Sequence, residues 1–304
     1  MATAGKNAAF GIFTVSAGVF SLATMDAMAK WLGEFYPVTQ LIFFRNLFAL
    51  PAIFVLAMST GGIRRLWPER LWLHLLRGIL ALGAVGFFFF ALRTMPLASA
   101  WTIAFSGPLM VTALTPVLLG ERVGVLRWIS VLVGFGGVLI VLQPGSTVFN
   151  WTVLLPLGTA FSESLLVLLA RRYAESEDAA SMVASTVVFP LIITGFAMPE
   201  VWVHPAPVHW PAFFTLGTLG GSALIFLTLA YRMVEAPILA PFDYTALIWS
   251  VLWGWLIWRD WPDPATWIGA GVIVASGLFI LYRETVRRPS GQGPIEHETS
   301  PVEP

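Results

Sequence analysis

The chain has 304 residues, of which 57% are hydrophobic and 11% are charged, and its mean hydropathy is +0.80. Soluble domains carry ~25% charged residues, so this composition indicates an integral membrane protein. The formal net charge is zero, which argues against a nucleic-acid partner. The absence of cysteine excludes disulfides, thiolate metal sites and cysteine nucleophiles.

Ten apolar runs are long enough for transmembrane helices, which need ~20 mostly apolar residues. The first run, from Phe10, is expected to remain as a membrane span, because it is too long for the core of a signal peptide. The connections are short, so the sequence predicts an all-α fold without a soluble domain. The predicted spans are Phe10–Trp31, Val38–Met58, Leu71–Arg93, Leu97–Leu119, Val123–Leu142, Trp151–Ala170, Ala179–Met198, Trp210–Tyr231, Pro237–Trp258 and Ala265–Tyr282.

A segment of the first half of the chain is repeated in the second half. Residues 91–142 align without a gap with residues 230–281 at an offset of 139 positions, so that Glu121 matches Asp260. A sustained match of this kind indicates an internal duplication. We therefore predict a cytoplasmic N-terminal segment (1–9), two five-helix repeats (10–142 and 151–283) and a disordered cytoplasmic tail (284–304).

The distribution of Lys and Arg predicts the orientation in the membrane. With a cytoplasmic N-terminus, twelve basic residues fall inside and at most three, namely Lys30, Arg93 and Arg259, fall outside. Both termini are therefore expected in the cytoplasm. Because each repeat has an odd number of spans, the second repeat enters the membrane from the opposite side. Inverted repeats are typical of secondary transporters, whose substrate site lies near the midplane between the repeats.

Ionisable side chains inside the predicted spans are the first candidates for function, because each costs ~2.5–3.5 kcal/mol to insert. With the histidine neutral, three cations balance three anions, as a bilayer interior requires. These residues are Asp26, Lys30, Arg45, His74, Arg77, Glu163 and Asp243.

Depth divides most of these charges into two groups, given ~1.5 Å of rise per residue. Asp26, Lys30 and Arg45 fall in the outer half, where they form either an outer gate or a structural polar cluster. Asp26 can pair with Lys30, which lies one helical turn away. Arg77 and Asp243 fall nearer the inner boundary, where they form either a gate salt bridge or part of a ligand site.

Three further residues are candidate substrate contacts. Glu163 lies near the midplane without a partner on its own helix, so we interpret it as a titrating or substrate-facing acid. Trp101 can stack on a planar ligand, although most of the fourteen Trp residues must lie at lipid interfaces. Pro108 frees a backbone carbonyl inside its span, which requires surroundings of protein or water.

The sequence contains no G-x-S-x-G, no H-E-x-x-H and no phosphate-binding glycine loop. It therefore predicts no catalytic residue, metal or cofactor, and its expected partners are a small-molecule substrate and the lipid bilayer. Small residues four positions apart, at Ser130/Gly134 and Gly271/Ala275, permit close helix approach, either within the scaffold or in a homodimer.

These features together resemble the drug/metabolite transporter superfamily, and within it the EamA-type ten-helix transporters. The resemblance extends from Phe10 to Glu284 and includes the acidic residue that closes spans 4 and 9, in Gly120-Glu121 and Arg259-Asp260. The second copy departs from the family pattern, because Arg259 stands where glycine is usual.

Four segments are similar to the S-adenosylmethionine uptake transporters and the related riboflavin transporters of bacteria. The resemblance implies a multi-pass inner-membrane transporter that moves a small organic metabolite by alternating access, with S-adenosylmethionine uptake as one expectation. Export of amino acids or metabolites and riboflavin import are alternatives, and a non-transporting membrane scaffold or an intramembrane enzyme is a remote one. The segments are Asp26–Leu32, Phe43–Arg45, His74–Gly78 and Ala240–Tyr244, which adds Tyr244 to the candidate substrate contacts.

Overall fold

The computed structural model describes residues 2–60, 62–144 and 151–286, and the regular elements in these ranges are all helical. Nine stretches of the described ranges, helices 1–8 and helix 10 below, are long and apolar enough to cross a membrane. The helices are helix 1 (Ala2–Leu32), helix 2 (Val38–Thr60), helix 3 (Leu71–Leu92), helix 4 (Leu97–Ala104 and Gly107–Leu118), helix 5 (Val125–Leu142), helix 6 (Leu155–Arg172), helix 7 (Ala179–Val201), helix 8 (Trp210–Met233), helix 9 (Ala236–Asp243 and Thr245–Trp253, continued by a π-helical turn Gly254–Trp258) and helix 10 (Pro264–Val286).

The ends of the chain differ slightly from the sequence-based boundaries. Helix 1 begins at Ala2, within the segment predicted to precede the first span. Helix 10 continues to Val286, so the predicted tail does not begin at residue 284. The rest of that tail, residues 287–304, lies outside the described residues.

Helices 4 and 9, which the sequence predicts as continuous spans, are each broken near the middle. Their first halves are each eight residues long and correspond residue for residue at the offset of 139. In helix 4, Pro108 lacks the N–H that would bond the Ala104 carbonyl. In helix 9, the Thr245 hydroxyl donates to the Phe242 carbonyl at 2.6 Å and competes with the helical ladder. The duplication therefore extends to the position of the breaks.

The two repeats interlock. The most extensive helix–helix contacts all join one repeat to the other, as in the pairs 1 with 8, 2 with 8, 2 with 7 and 5 with 10. Each pair has its counterpart when the repeats are exchanged: helix 3 packs on helix 6 as helix 8 packs on helix 1. This exchange symmetry is the pseudo-two-fold arrangement predicted for inverted five-helix repeats, and the predicted all-α fold of two repeats is confirmed.

Small residues bring helices 5 and 10 together. A side chain at Gly137 would meet Val272 and the Gly269 carbonyl at 3.0–3.1 Å, and one at Gly134 would collide with Leu109 of helix 4. Gly134, which the sequence placed in a close-approach pair, thus serves packing within the chain.

A left-handed residue ends both broken helices. Gly120 has φ 72°, and Arg259, its counterpart at the offset of 139, has φ 60°. Glycine adopts this conformation freely, whereas arginine is strained there by ~1–2 kcal/mol. The turn at Arg259 lets the Asp260 N–H donate to the Gly254 carbonyl at 3.1 Å, which directs Asp260 back toward helix 1.

Helix 3 is anchored by an acid from the turn between helices 6 and 7. The Glu177 side chain is fully buried and accepts hydrogen bonds from His74 Nε2 at 3.0 Å, from the Arg70 N–H at 2.9 Å and from the Glu69 N–H at 3.3 Å. Burial alone would raise the pKa of the Glu177 carboxyl, but the bonds from His74 and from the two backbone groups outweigh it and lower that pKa. The ionised carboxylate therefore stabilises the fold.

We expect Glu177→Gln to lower the unfolding free energy at pH 7 by about 1–3 kcal/mol, because the buried donors lose a charged acceptor. The folded-state pKa is lower than that of the unfolded chain, so the stabilisation is present above about pH 4.3 and is lost as the pH falls through the folded-state pKa. The melting temperatures of purified protein and variant should accordingly converge in acid. Glu175→Gln removes an exposed acid from the same turn and is the matched control. Equal losses in the two variants would contradict this role.

Candidate functional site

A cavity of about 670 Å³ lies between the two repeats. Helices 1–4 of the first repeat and helices 6 and 8–10 of the second contribute its walls. Its volume is within the range of small-molecule sites. Exposed Arg171 and Tyr231 line the end near the face where helix 1 begins and helix 10 ends, which we call the termini face. The cavity thus extends from the meeting point of the repeats toward that face.

Three charged side chains form the polar wall of the cavity. Arg45 of helix 2 interacts electrostatically with Asp26 of helix 1 and with Glu163 of helix 6. Asp26 is 3% exposed, whereas Glu163 is exposed on the cavity surface. Within the described residues, no ion pair at 4.0 Å or less joins any two of the three. The cluster therefore combines two acids and one cation around open space.

Arg45 retains donors for a ligand. Its Nε donates to the sulfur of Met25 at 3.4 Å and its Nη1 donates to Asn46 at 3.2 Å, which are long bonds to weak or neutral acceptors. A guanidinium has five N–H donors, so the two bonds leave three for other partners. An anionic group in the cavity would find a bidentate partner here.

Aromatic rings form the wall beside the charged cluster. The Trp101 ring lies 5.4 Å from that of Phe88 and 5.4 Å from that of Phe105, and Phe105 lies 4.9 Å from Tyr244. The Trp101 Nε1 is buried without a hydrogen-bond partner of normal geometry in the described chain, although it lies near the Asp26 carboxyl. Phe105 and Tyr244 stand at the breaks of helices 4 and 9 and are counterparts at the offset of 139. The broken helices therefore place an aromatic contact where the repeats meet.

Asp243 occupies a separate part of the cavity. It ends the first half of helix 9 and accepts a hydrogen bond from the Tyr231 hydroxyl of helix 8. Both residues line the cavity, and so do Pro108 and Tyr244. The structure thus brings together Asp26, Arg45, Trp101, Pro108, Glu163, Asp243 and Tyr244 among the sequence-based candidates.

Two pairings that the sequence allowed among the intramembrane charges do not form in the described chain. Lys30 does not pair with Asp26: its Nζ lies 3.3 Å from the Asp260 carboxylate, because the left-handed turn after helix 9 carries that acid to helix 1. Arg77 does not pair with Asp243, since its guanidinium donates to carbonyls of helices 6 and 7, at 2.9 Å to Leu166 and 3.1 Å to Met182.

Three of the sequence-based site residues lie outside the cavity lining. His74 bonds Glu177, Arg77 ties helix 3 to helices 6 and 7, and Lys30 lies on the face opposite the termini face. Asp26 and Arg45, expected in an outer gate or a structural polar cluster, line the same cavity as Glu163.

Sequence reasoning missed some residues that the structure brings to the site. In the sequence Tyr231 marks only the end of a predicted span, and Arg171 is one of the twelve basic residues expected on the inner side. Phe105 could have been found from the duplication, since it matches Tyr244. His74 was interpreted without its acid, because Glu177 lies in a turn more than one hundred residues away.

Bonds between the repeats close the face opposite the termini face. Lys30 bridges Asp260 and the Met95 carbonyl, which accepts at 3.0 Å, and its Nζ lies 4.9 Å from the Trp258 ring. The Trp258 indole N–H donates to Glu34 at 3.0 Å. These contacts join helices 1 and 9 at the end of the cavity that is remote from the termini face.

A second set of bonds closes the same face beside helix 8. The Tyr36 hydroxyl contacts His209 Nδ1 at 2.7 Å and accepts from the Ala206 N–H at 2.9 Å. The Gln40 amide bonds both the carbonyl and the N–H of Val203, at 2.8 and 3.0 Å. Both sets join the first repeat to the second, so they would have to separate for the cavity to open on this face.

Comparison with known proteins assigns the chain to a family. The model of the EamA-like transporter family matches twice, at residues 9–143 and 150–282. The chain belongs to the EamA-like transporter family. The two matches correspond to the two interlocked repeats, so each repeat is one copy of the family's domain.

The relatives are small-molecule transporters. An S-adenosylmethionine uptake transporter of Rickettsia felis is 29% identical over 87% of this chain and 90% of its own length. A riboflavin transporter of Rhizobium johnstonii is 31% identical over 91% and 92%, and a pseudopaline exporter of Pseudomonas aeruginosa is 25% identical over 90% and 96%. Membership of this family, with its many apolar helices, makes the protein a multi-pass transporter of small metabolites in the bacterial inner membrane.

A solved crystal structure shares the fold. It superposes with a TM-score of 0.60 at 20% identity and covers 94% of this chain and 99% of its own chain. At this identity the likeness concerns the EamA-type fold only.

The contacts of Arg77 lead to a test that separates structural from ligand-binding charges. We expect Arg77→Met to lower the unfolding free energy by about 2–3 kcal/mol, because two buried carbonyls lose a charged donor. The melting temperature of the purified protein measures this loss. Transport by the folded fraction should keep its half-saturating concentration, because Arg77 lies outside the cavity lining. Arg64→Met, at an exposed position, is the control. Weakened substrate affinity in Arg77→Met would return this residue to the binding site.

Proposed function

We propose that the protein imports S-adenosylmethionine by alternating access. The observation that carries this proposal is the cavity between the repeats, which combines mixed charge with an aromatic wall. A zwitterionic ligand with a planar base needs both, because its charged end must replace the contacts it makes with water and its base must stack.

The charges lining the cavity complement this substrate. Acids outnumber bases by three to two, with Asp26, Glu163 and Asp243 against Arg45 and Arg171. S-adenosylmethionine carries a sulfonium, an ammonium and a carboxylate, and its net charge is +1. In this proposal Arg45 binds the carboxylate and the acids bind the positive groups.

The relatives support this class of substrate and leave two alternatives. The Rickettsia relatives are named for S-adenosylmethionine uptake, and others are named for riboflavin transport or pseudopaline export. Riboflavin is neutral, so it gives the Asp26–Arg45–Glu163 cluster no charged partner. The named exporter shows that direction can differ within the family, so uptake rests on the Rickettsia relatives.

The proposed mechanism includes the orientation given by the basic loops. With both termini in the cytoplasm, the cavity extends toward the cytoplasmic side, and the Lys30–Asp260 bridge closes the periplasmic side. Exchange of the two repeats relates helix 1 to helix 6 and Asp260 to Glu121. We propose that Glu121 meets the arginines at the end of helix 6 when the cytoplasmic side closes.

We also propose that the protein transports its substrate unchanged and is not an enzyme. No histidine lines the cavity within the described residues, and the Ser164 hydroxyl is bonded to the carbonyls of Gly107 and Ala160, at 3.0 and 2.6 Å. These bonds commit the Ser164 hydroxyl to backbone carbonyls rather than to an activating base. We also propose that the protein can form a homodimer through Gly271, because a side chain built at this position would meet open space.

Uptake by cells that express the protein tests the substrate. We expect saturable uptake of labelled S-adenosylmethionine that is blocked by the unlabelled compound and unaffected by riboflavin. Glu163→Gln should raise the half-saturating concentration about tenfold, because a charged contact is lost. Saturable riboflavin uptake without S-adenosylmethionine uptake would overturn the proposal.

Trp101→Ala is the comparison that separates the two importers. A riboflavin carrier depends on stacking more than on charge, so a larger loss in Trp101→Ala than in Glu163→Gln would favour that alternative. A smaller loss is expected here.

The closing bridge gives a test of alternating access. The chain has no cysteine, so Thr112→Cys introduces a single reactive thiol in the cavity wall. Asp260→Asn removes the partner of Lys30 and should increase labelling of that thiol from the periplasm by an impermeant maleimide about two- to fivefold. Glu200→Gln, an exposed acid near the same face, should leave the labelling unchanged. Unchanged labelling in Asp260→Asn would contradict a gating role of the bridge.

A further inference from the structure

One carboxylate of the cavity has no cationic partner. Asp243 makes no ion pair at 4.0 Å or less among the described residues, and its electrostatic neighbours are the phenols of Tyr231 and Tyr244. Arg45, in contrast, interacts with Asp26 and Glu163. The cavity therefore contains two different acidic environments, one that includes an arginine and one that is walled by aromatic rings.

The backbone increases the negative potential at Asp243. This residue is the last of the half-helix Ala236–Asp243, where the carbonyl ends of the helix carry about −0.5 of an elementary charge. A carboxylate at this end of a helix is repelled rather than stabilised. The arrangement is suited to a bound cation, as at the half-helix ends of other transporters.

The aromatic side chains beside Asp243 indicate which kind of cation fits. Tyr231 and Tyr244 both line the cavity next to Asp243, and the ring of Phe105 lies 4.9 Å from that of Tyr244. The Tyr244 hydroxyl packs against Gly277 of helix 10, where any side chain would collide with it, so this ring is fixed. Aromatic faces attract weakly hydrated cations that carry alkyl groups.

Hydrogen bonding separates a sulfonium from an ammonium. A primary ammonium has three N–H donors and needs three acceptors. At Asp243 one carboxylate oxygen already accepts from Tyr231, and the side chains of Tyr231 and Tyr244 beside it present rings rather than further carboxylates. A sulfonium has no proton to donate, so it requires only negative charge and contact with rings. The Asp26–Arg45–Glu163 cluster is better suited to an amino-acid ammonium and carboxylate.

We infer that Asp243, with the rings of Tyr231 and Tyr244, forms the subsite that binds the sulfonium of the transported substrate and distinguishes it from neutral thioethers. The inference rests on the proposed function, because it assumes a sulfonium substrate. It assigns to Asp243 and Tyr231 the selectivity for S-adenosylmethionine over S-adenosylhomocysteine, which has the same adenosine and amino-acid groups but an uncharged sulfur.

Equilibrium binding to the purified full-length protein tests the assignment. Labelled S-adenosylmethionine is displaced by unlabelled S-adenosylmethionine or S-adenosylhomocysteine, and the ratio of the two dissociation constants measures selectivity. The unmodified protein should prefer the sulfonium compound by about tenfold or more. Asp243→Asn should weaken binding of S-adenosylmethionine by about that factor and leave S-adenosylhomocysteine within about twofold, so that the ratio falls toward one.

The control removes an equivalent charge outside the cavity. Glu235 is an exposed acid just before the same half-helix, and its side chain makes no capping bond there. Glu235→Gln should therefore preserve the ratio of the two dissociation constants. If Asp243→Asn weakens both ligands equally, Asp243 contacts the shared ammonium and the inference is wrong. If the unmodified protein binds neither compound, the proposed substrate is wrong, which is a different outcome.

Variants of Tyr231 keep the test decisive if Asp243→Asn does not fold. Tyr231→Phe retains the ring and should retain the preference for the sulfonium. Tyr231→Leu removes the ring and should reduce the preference by about two- to tenfold, because a cation–π contact is lost. An unchanged ratio in Tyr231→Leu would overturn the aromatic part of the subsite.

Discussion

The lipid interior offers no hydrogen bond to a free backbone carbonyl and no solvation to a charge, and this constraint determines where the helices can be broken. Helices 4 and 9 are broken, and lipid would leave their half-helix ends unsatisfied. The breaks are tolerated because helix 4 packs between helices 5 and 6 and helix 9 packs on helix 1. The same enclosure that satisfies the breaks creates the cavity, so the irregular backbone and the candidate site share one cause.

The sequence predicted the fold more completely than the contacts within it. Apolar runs determine the helices because a span must be long and apolar, and the match of Glu121 to Asp260 revealed the repeats. The breaks were less visible. Pro108 indicates one of them, whereas at Thr245 the deciding event is a side-chain bond to a carbonyl, which no periodicity records.

The candidate site was predicted as a set of residue types rather than as a geometry. Asp26, Arg45, Glu163 and Asp243 all reach the cavity, because charge inside a span is costly unless it faces protein or water. Their partners were not predictable from spacing on one helix. Lys30 has Asp26 one turn away and still bonds Asp260, since a left-handed turn after helix 9 places that acid closer.

The positions at which the two repeats have diverged explain how a symmetric scaffold acquires an asymmetric site. Asp243 corresponds to Ala104 in the first repeat, so only one of the two half-helix ends carries a carboxylate. Arg259 stands at the position that corresponds to Gly120 in the first repeat, and it has a strained φ of 60°. Exposed Glu121 has no ion pair at 4.0 Å or less among the described residues, whereas Asp260 bridges Lys30. A symmetric molecule would bind equally well from both ends, whereas these differences bridge one face and place a carboxylate at only one of the two half-helix ends. In the proposed mechanism the duplication supplies the two states that transport requires, and the diverged residues determine which state is stable without substrate and which ligand changes that balance.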